Sequence, residues 1–148
     1  MDEINAAVEI LLVEDNPRDA ELTIRALRKS NLANQLFHVI DGAEALDFLF
    51  ARGQYSERRG EPTPRLVLLD LMLPKLNGLE VLRQIRAKNE TKTVPVVMLT
   101  SSQEDRDIAD SYESGVNGYM VKPLDFAEFV RCISVIRQYW LTCNRLPR

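Results

Sequence analysis

Residues 66–70 read Leu-Val-Leu-Leu-Asp, four apolar side chains running straight into a carboxylate. A strand with one face in water alternates apolar and polar residues, whereas unbroken hydrophobicity over so short a run marks a strand covered on both faces. Two further runs share this character, Ile10 to Val13 and Val96 to Leu99. Helical patterns lie between them: Asn16 caps and Pro17 opens a helix with Ala20, Ile24 and Leu27 on one face, and Gly78 precedes Leu79, Leu82 and Ile85 at helical spacing. Weaker strands fit Gln35 to Ile40 and Asn117 to Val121, and further helices fit Ala43 to Ala51, Glu104 to Ser114 and Phe126 to about Leu141. Five βα units follow from this pattern. Right-handed crossovers between parallel strands place helices on both faces, so the pattern predicts a doubly wound α/β sheet.

The 148 residues, 45% of them hydrophobic, suffice for one well-packed core, and no repeat or shift in composition divides them. A single domain over residues 1–148 is expected. Residues 52–64, rich in Gly, Pro, Arg and Glu, read as an exposed, solvated loop longer than the usual connection, and residues 124–148 as an extended last helix and tail. A formal net charge of -3 and a pI near 5.3 leave no basic excess for nucleic-acid phosphates or an anionic membrane surface. Met1 to Asn5 is polar, and no apolar run approaches the ~18 residues that a bilayer span requires, so a cytoplasmic protein is expected. Cys132 and Cys143 fall in one predicted helix, roughly 16 Å apart and beyond disulfide reach. No CxxC or His/Cys cluster supports a zinc site.

The chemistry is written at the strand ends. Val13 leads to Glu14 and Asp15, Leu69 to Asp70, Leu99 to Thr100 and Val121 to Lys122. In open parallel sheets the ligand crevice lies beyond the carboxyl ends of the strands, so these groups are expected on one rim. Carboxylates forced together repel, and protonation or a cation must relieve them. Hard oxygen donors without His or Cys suit magnesium, which keeps several waters and takes one or two carboxylates from a protein. Asp15 and Asp70 are the candidate direct ligands, with Glu14 acting through water and the Met72 backbone carbonyl able to reach the same ion. An aspartate can attack phosphorus when a metal and a cation offset the charges that meet there. Asp70 is placed for that role, with Lys122 pairing to one phosphoryl oxygen and the Thr100 hydroxyl bonding another. Singly, each residue has a plain structural reading as strand-end cap, surface charge, β-former or, for Asp15, a helix start; the ordered set carries the argument.

At these residues the chain resembles the response-regulator receiver family over nearly its whole length. The motifs are Glu14-Asp15, the stretch Leu69-Asp70-Leu71-Met72-Leu73-Pro74 followed by Asn77-Gly78, then Thr100 and Lys122-Pro123. The resemblance implies the flavodoxin-like receiver fold with strand order 2-1-3-4-5 and phosphorylation of Asp70. It also implies a switch in which Thr100 is drawn to the phosphoryl group and Tyr119 turns inward, reshaping the surface of the fourth helix, fifth strand and fifth helix. A cis peptide between Lys122 and Pro123 is implied as well. More narrowly, the long loop before the third strand, the stretch Asp70 to Lys75 and the terminal Tyr139-Trp140-Leu141 with Leu146-Pro147 are similar to the small response regulators that serve cyanobacterial-type phytochromes. That likeness implies a light-regulated histidine kinase as phosphodonor. Met72 departs from the polar residue that many members carry two positions beyond the phosphoacceptor. Tyr119 also admits a purely structural reading, with its ring packed and its hydroxyl hydrated, and His38 reads as structural.

A phosphatase of the haloacid dehalogenase type also uses an aspartyl phosphate, but it needs a second acid where Met72 stands. Neither a Walker-type loop nor a Gly-x-Gly-x-x-Gly turn supports a nucleotide enzyme. A degenerate receiver acting only as a binding module conflicts with the intact acidic set. The residues after Lys122 suffice for one helix and a tail and not for a DNA-binding domain, so output through protein contact is expected. In the last helix Phe126, Phe129, Val130, Ile133, Ile136, Trp140 and Leu141 form a core stripe, and Cys132, Val135, Tyr139 and Cys143 form a second. At ~100° per residue the apolar positions cover roughly two-thirds of the circumference, more than one buried face requires. A homodimer through this helix is expected, with a tail that folds back at Asn144 over its own stripe as the alternative.

Overall fold

The computed structural model describes residues 8–29, 35–122 and 125–147. Five parallel strands, β1 (Ile10–Val13), β2 (Leu36–Val39), β3 (Leu66–Leu69), β4 (Val96–Thr100) and β5 (Gly118–Val121), form one sheet in the order β2-β1-β3-β4-β5. Helices α1 (Pro17–Lys29), α2 (Gly42–Leu49), α3 (Gly78–Ala87), α4 (Asp105–Glu113) and α5 (Phe126–Arg137) alternate with the strands. The doubly wound α/β sheet expected from the apolar runs is the fold observed.

Side chains leave a strand alternately to its two faces, and the three inner strands fill both. Leu11, Val13, Val67, Leu69, Val96 and Met98 enter one core with α2 and α3. Ile10, Leu12, Leu66, Leu68, Val97 and Leu99 enter the other with α1 and α5. Every residue of β1, β3 and β4 is buried, which is why their sequence never alternates. The edge strands β2 and β5 are mostly half-buried and therefore tolerate His38 and Gly118, so their sequence signal is weaker.

The first three βα loops close on side-chain helix caps, which help fix where the strand-end residues stand. Asn16 Oδ1 accepts the Asp19 N–H at 3.0 Å, Asp41 Oδ1 accepts that of Glu44 at 2.8 Å, and Asn77 Oδ1 accepts that of Glu80 at 2.9 Å. Without these acceptors the first-turn donors would be left unpaired.

Two expectations are corrected. The last helix does not run regularly to Leu141: α5 ends at Arg137 and continues as a π turn over Gln138–Cys143, closed by the Asn144 N–H on the Tyr139 carbonyl at 2.7 Å. The wider turn changes the angular step, so the adjacent Trp140 and Leu141 both pack on the core. Residues 52–64 are not simply a solvated loop either. They contain a 3-10 helix, Gly53–Arg58, whose Tyr55 ring lies edge-on to Phe37 and Phe48 at 5.7 and 5.2 Å between centroids. The Arg58 guanidinium covers Phe48 at 3.7 Å, so part of this charged segment is packed. Met1 to Asn5 and Pro123, with the expected cis bond after Lys122, lie outside the described residues. Among the described residues no helix is long and apolar enough to cross a membrane, and both cysteines are free.

The first residue of α2 meets the β3–α3 connection with no room to spare. A Cβ on Gly42 would lie 2.4 Å from the Leu76 carbonyl oxygen and 2.6 Å from Val81 Cγ2. Gly42→Ala is expected to lower stability by about 1–3 kcal/mol through this overpacking, read as a lower urea midpoint with an unchanged m-value.

Candidate functional site

The parallel register delivers Glu14, Asp15, Asp70 and Lys122 from separate segments to the carboxyl edge of the sheet. Glu14, Asp15 and Asp70 each offer a carboxylate oxygen within 4.8 Å of the others. Lys122 Nζ donates to Glu14 Oε1 at 2.7 Å, to Asp70 Oδ2 at 2.9 Å and to Asp19 Oδ2 at 2.9 Å. The second oxygen of Asp70 accepts the Met72 N–H at 3.1 Å, so the carboxylate is held at both ends. Glu14 is fixed in the same way, with the Asn16 N–H on Oε2 at 3.2 Å and His38 Nε2 2.8 Å from its backbone carbonyl oxygen. His38 therefore has a bracing contact, in line with its structural reading.

The turn after Asp70 depends on Gly78. A Cβ there would lie 2.2 Å from the Asp70 carbonyl oxygen and 2.8 Å from Leu71 Cα. Only glycine lets the start of α3 come this close, and the Gly78 N–H closes the turn on the Leu71 carbonyl at 2.9 Å.

Glu14 and Asp70 are buried, while Asp15 is exposed. Burial pushes the Glu14 carboxyl up to about 7 against the pull of its Lys122 hydrogen bond, and the neighbouring Asp70 charge adds to the rise. Burial alone would lower the Lys122 ammonium, but its bonds to Glu14, Asp19 and Asp70 outweigh that and hold it above the ordinary lysine range. Three carboxylates thus contact one ammonium, and a fourth, Asp15, lies beside Glu14 and Asp70. This excess of hard oxygen donors, with no sulfur or imidazole in the cluster, fits a divalent cation such as magnesium.

The remaining sequence candidates border this cluster. Thr100 is fully buried at the end of β4, and its Oγ1 accepts the Ser102 N–H at 3.4 Å. Tyr119 is half-buried in β5, and its hydroxyl donates to the Ser102 carbonyl at 3.1 Å. Burial raises the Tyr119 phenol, opposed by the Ser102 bond and reinforced by the charges of Asp107, Asp70 and Glu104. Met72 is 64% exposed, with its side chain beside the pocket formed by Ser101, Ser102, Gln103, Glu104 and Asp107. Asp19 escaped the sequence reading. An acid in the first turn of a helix is a common partner for the helix dipole, and nothing at its position signals contact with a lysine 103 residues away.

Residues 10–134 match the family described as the response regulator receiver domain. The chain is 43% identical over 138 residues to the probable methanogenesis regulatory protein FilR2 of Methanothrix harundinacea (strain 6Ac), covering 93% of this chain and 86% of that protein. It is 38% identical over 146 residues to response regulator Rcp1 of Synechocystis sp. (strain ATCC 27184 / PCC 6803 / Kazusa), covering 99% of this chain and 97% of the relative. A crystal structure of the Mn(2+)-bound form of Rcp1 aligns with a TM-score of 0.83 over 94% of this chain and 98% of that one. The crystal structure of the phosphorylated cyanobacterial phytochrome response regulator RcpA aligns at 0.86 with 37% identity, over 97% of this chain and all 100% of the other.

Charge crowding separates metal binding from folding. Asp15→Asn removes an exposed like charge from the cluster, so the metal-free protein is expected to melt no lower than the wild type. The same change is expected to weaken Mn2+ binding by about tenfold or more, measured by paramagnetic resonance of the free ion.

Proposed function

The chain is a receiver domain belonging to the two-component response regulator family, and from this membership we propose that it takes a phosphoryl group from a sensor histidine kinase onto Asp70. The observation that carries the reading is the Asp70 carboxylate itself. It is buried at the strand edge and fixed by Lys122 on one oxygen and the Met72 N–H on the other. An oxygen of Asp70 forms the new O–P bond as the donor's N–P bond breaks, and the bonding pair stays with the departing imidazole nitrogen. Asp15, Asp70 and the Met72 backbone carbonyl would hold magnesium directly, with Glu14 holding it through water. When bound, the ion offsets the charge of the transferring group. Lys122 supplies the protein's own positive charge to a phosphoryl oxygen, and Thr100 supplies a hydroxyl. With these groups, catalysis is positioning and charge stabilisation.

The signal then passes to the surface formed by α4, β5 and α5. Thr100 moves to the phosphoryl oxygen, and Tyr119 leaves the Ser102 carbonyl and turns inward. A light-regulated phytochrome kinase in the cytoplasm is the donor that the terminal motifs and the likeness to RcpA support. A homodimer through the last helix is the assembly that the surplus apolar stripe supports. Val135 and Tyr139 are 64% and 50% exposed; Val135 lines a groove with Met120, Ile136 and Trp140, and the Tyr139 ring lies edge-on to Trp140.

Incubation with acetyl phosphate and Mg2+ is expected to add one phosphoryl group by intact mass, with none added to Asp70→Asn or in the presence of a chelator; release of phosphate over many turnovers would instead favour a phosphatase. In sedimentation equilibrium the wild type is expected to run as a dimer, and Val135→Glu with Tyr139→Glu as a monomer. A wild type that stays monomeric with and without phosphorylation removes the dimer.

A further inference from the structure

Resting on the assignment of Asp70 as phosphoacceptor, we propose that Asp19 is a positioning residue that holds Lys122 in the unphosphorylated protein and gives it up to the phosphoryl group. An ammonium has three N–H donors, and all three of Lys122 are taken by carboxylates, at 2.7 Å from Glu14 and 2.9 Å from both Asp19 and Asp70. A phosphoryl oxygen can bond this nitrogen only by displacing one of them. The three acceptors are not equivalent, because the side chain of Glu14 is 1% exposed, that of Asp70 7% and that of Asp19 36%. Losing Lys122 would take from buried Glu14 the cation that offsets its charge, whereas Asp19 can be rehydrated where it stands.

The backbone around Asp19 keeps the competitor within reach. Its N–H is capped by Asn16 Oδ1 at 3.0 Å, and its carbonyl accepts the hydroxyl of the fully buried Thr23 at 2.9 Å. When the phosphoryl group leaves, the same carboxylate is positioned to take Lys122 back. Asp19 therefore opposes phosphorylation twice: it occupies the donor that the incoming oxygen needs, and it adds negative charge on the approach of an anionic donor. Support for the α1 dipole would give an acid the same position, but it would not connect Asp19 to the state of Lys122.

Wild type, Asp19→Asn, Asp19→Glu and Asp70→Asn are compared with acetyl phosphate at saturating Mg2+, with intact mass giving the rate and lysine-ammonium NMR following Lys122 Nζ. Asp19→Asn offers a neutral acceptor and is expected to be phosphorylated about two- to fivefold faster, the range of a partly exposed ion pair. Asp19→Glu is expected to return towards the wild-type rate. The Lys122 signal is expected to differ between wild type and Asp19→Asn before phosphorylation and to coincide after it. If the wild type is labelled but Asp19→Asn is no faster, or its Lys122 signal is unmoved, Asp19 has no such role while Asp70 stands. If the wild type takes up no phosphoryl group, both assignments fall.

Discussion

One ammonium organises the functional edge of this molecule. Lys122 Nζ reaches carboxylates 108, 103 and 52 residues away in the chain, drawn from the loop after β1, the first turn of α1 and the end of β3. Strands in parallel register, all ending on the same side, bring these distant groups to one point. The arrangement is expensive for the fold, since each buried charge loses hydration that its partners restore only in part. Even with Lys122 in contact, burial holds the Glu14 carboxyl near 7. A site in this condition favours whatever positive charge enters it and responds to any new anion, which is what a phosphoryl-accepting switch requires.

The scaffold divides its rigidity unevenly. At the acidic edge the backbone is pinned by close approaches, Gly78 on Asp70 and His38 on the Glu14 carbonyl. At the opposite edge Arg86 does comparable work. Its guanidinium donates to the carbonyls of Lys92, Val94 and Gly115 and to Asn117 Oδ1, tying α3 to the entry of β4 and the turn before β5. Four hydrogen bonds to neutral acceptors make it a mechanical clamp, and burial lowers its affinity for the proton. The sheet is thereby braced at both ends.

How much of this was legible follows from where the information sits in the chain. β1, β3 and β4 were readable because full burial forces every side chain to be apolar, and the strand-end acids because each follows such a run directly. β2 and β5 were fainter because edge strands keep polar and small residues, His38 and Gly118 among them. The packing of Tyr55 and Arg58 was hidden by the charged residues around them, since composition averages over a segment while packing depends on single side chains. The π turn carries no marker of its own, because the apolar residues after Arg137 suit a regular helix equally well. Asp19 stayed hidden for a related reason: its local role and its distant contact call for the same residue type.

The route from the acidic edge outward follows from which bonds are easiest to exchange. Thr100 is the last residue of β4, and its hydroxyl accepts the Ser102 N–H at 3.4 Å, a long bond that a phosphoryl oxygen would readily outcompete. Ser102 is the junction: its carbonyl holds the Tyr119 hydroxyl at 3.1 Å, and its own hydroxyl donates to Asp107 in the first turn of α4 at 2.6 Å. A shift at Thr100 would therefore act on β5 and α4 together. Of the residues in α4 only Ser111 is buried, whereas α1 and α5 each place several apolar side chains in the second core. Moving α1 or α5 means opening a packed interior, but re-seating α4 disturbs few apolar contacts and a handful of exchangeable hydrogen bonds. The helix that costs least to move is the one linked through Ser102 to the threonine, and that asymmetry would give a phosphoryl group on Asp70 its direction.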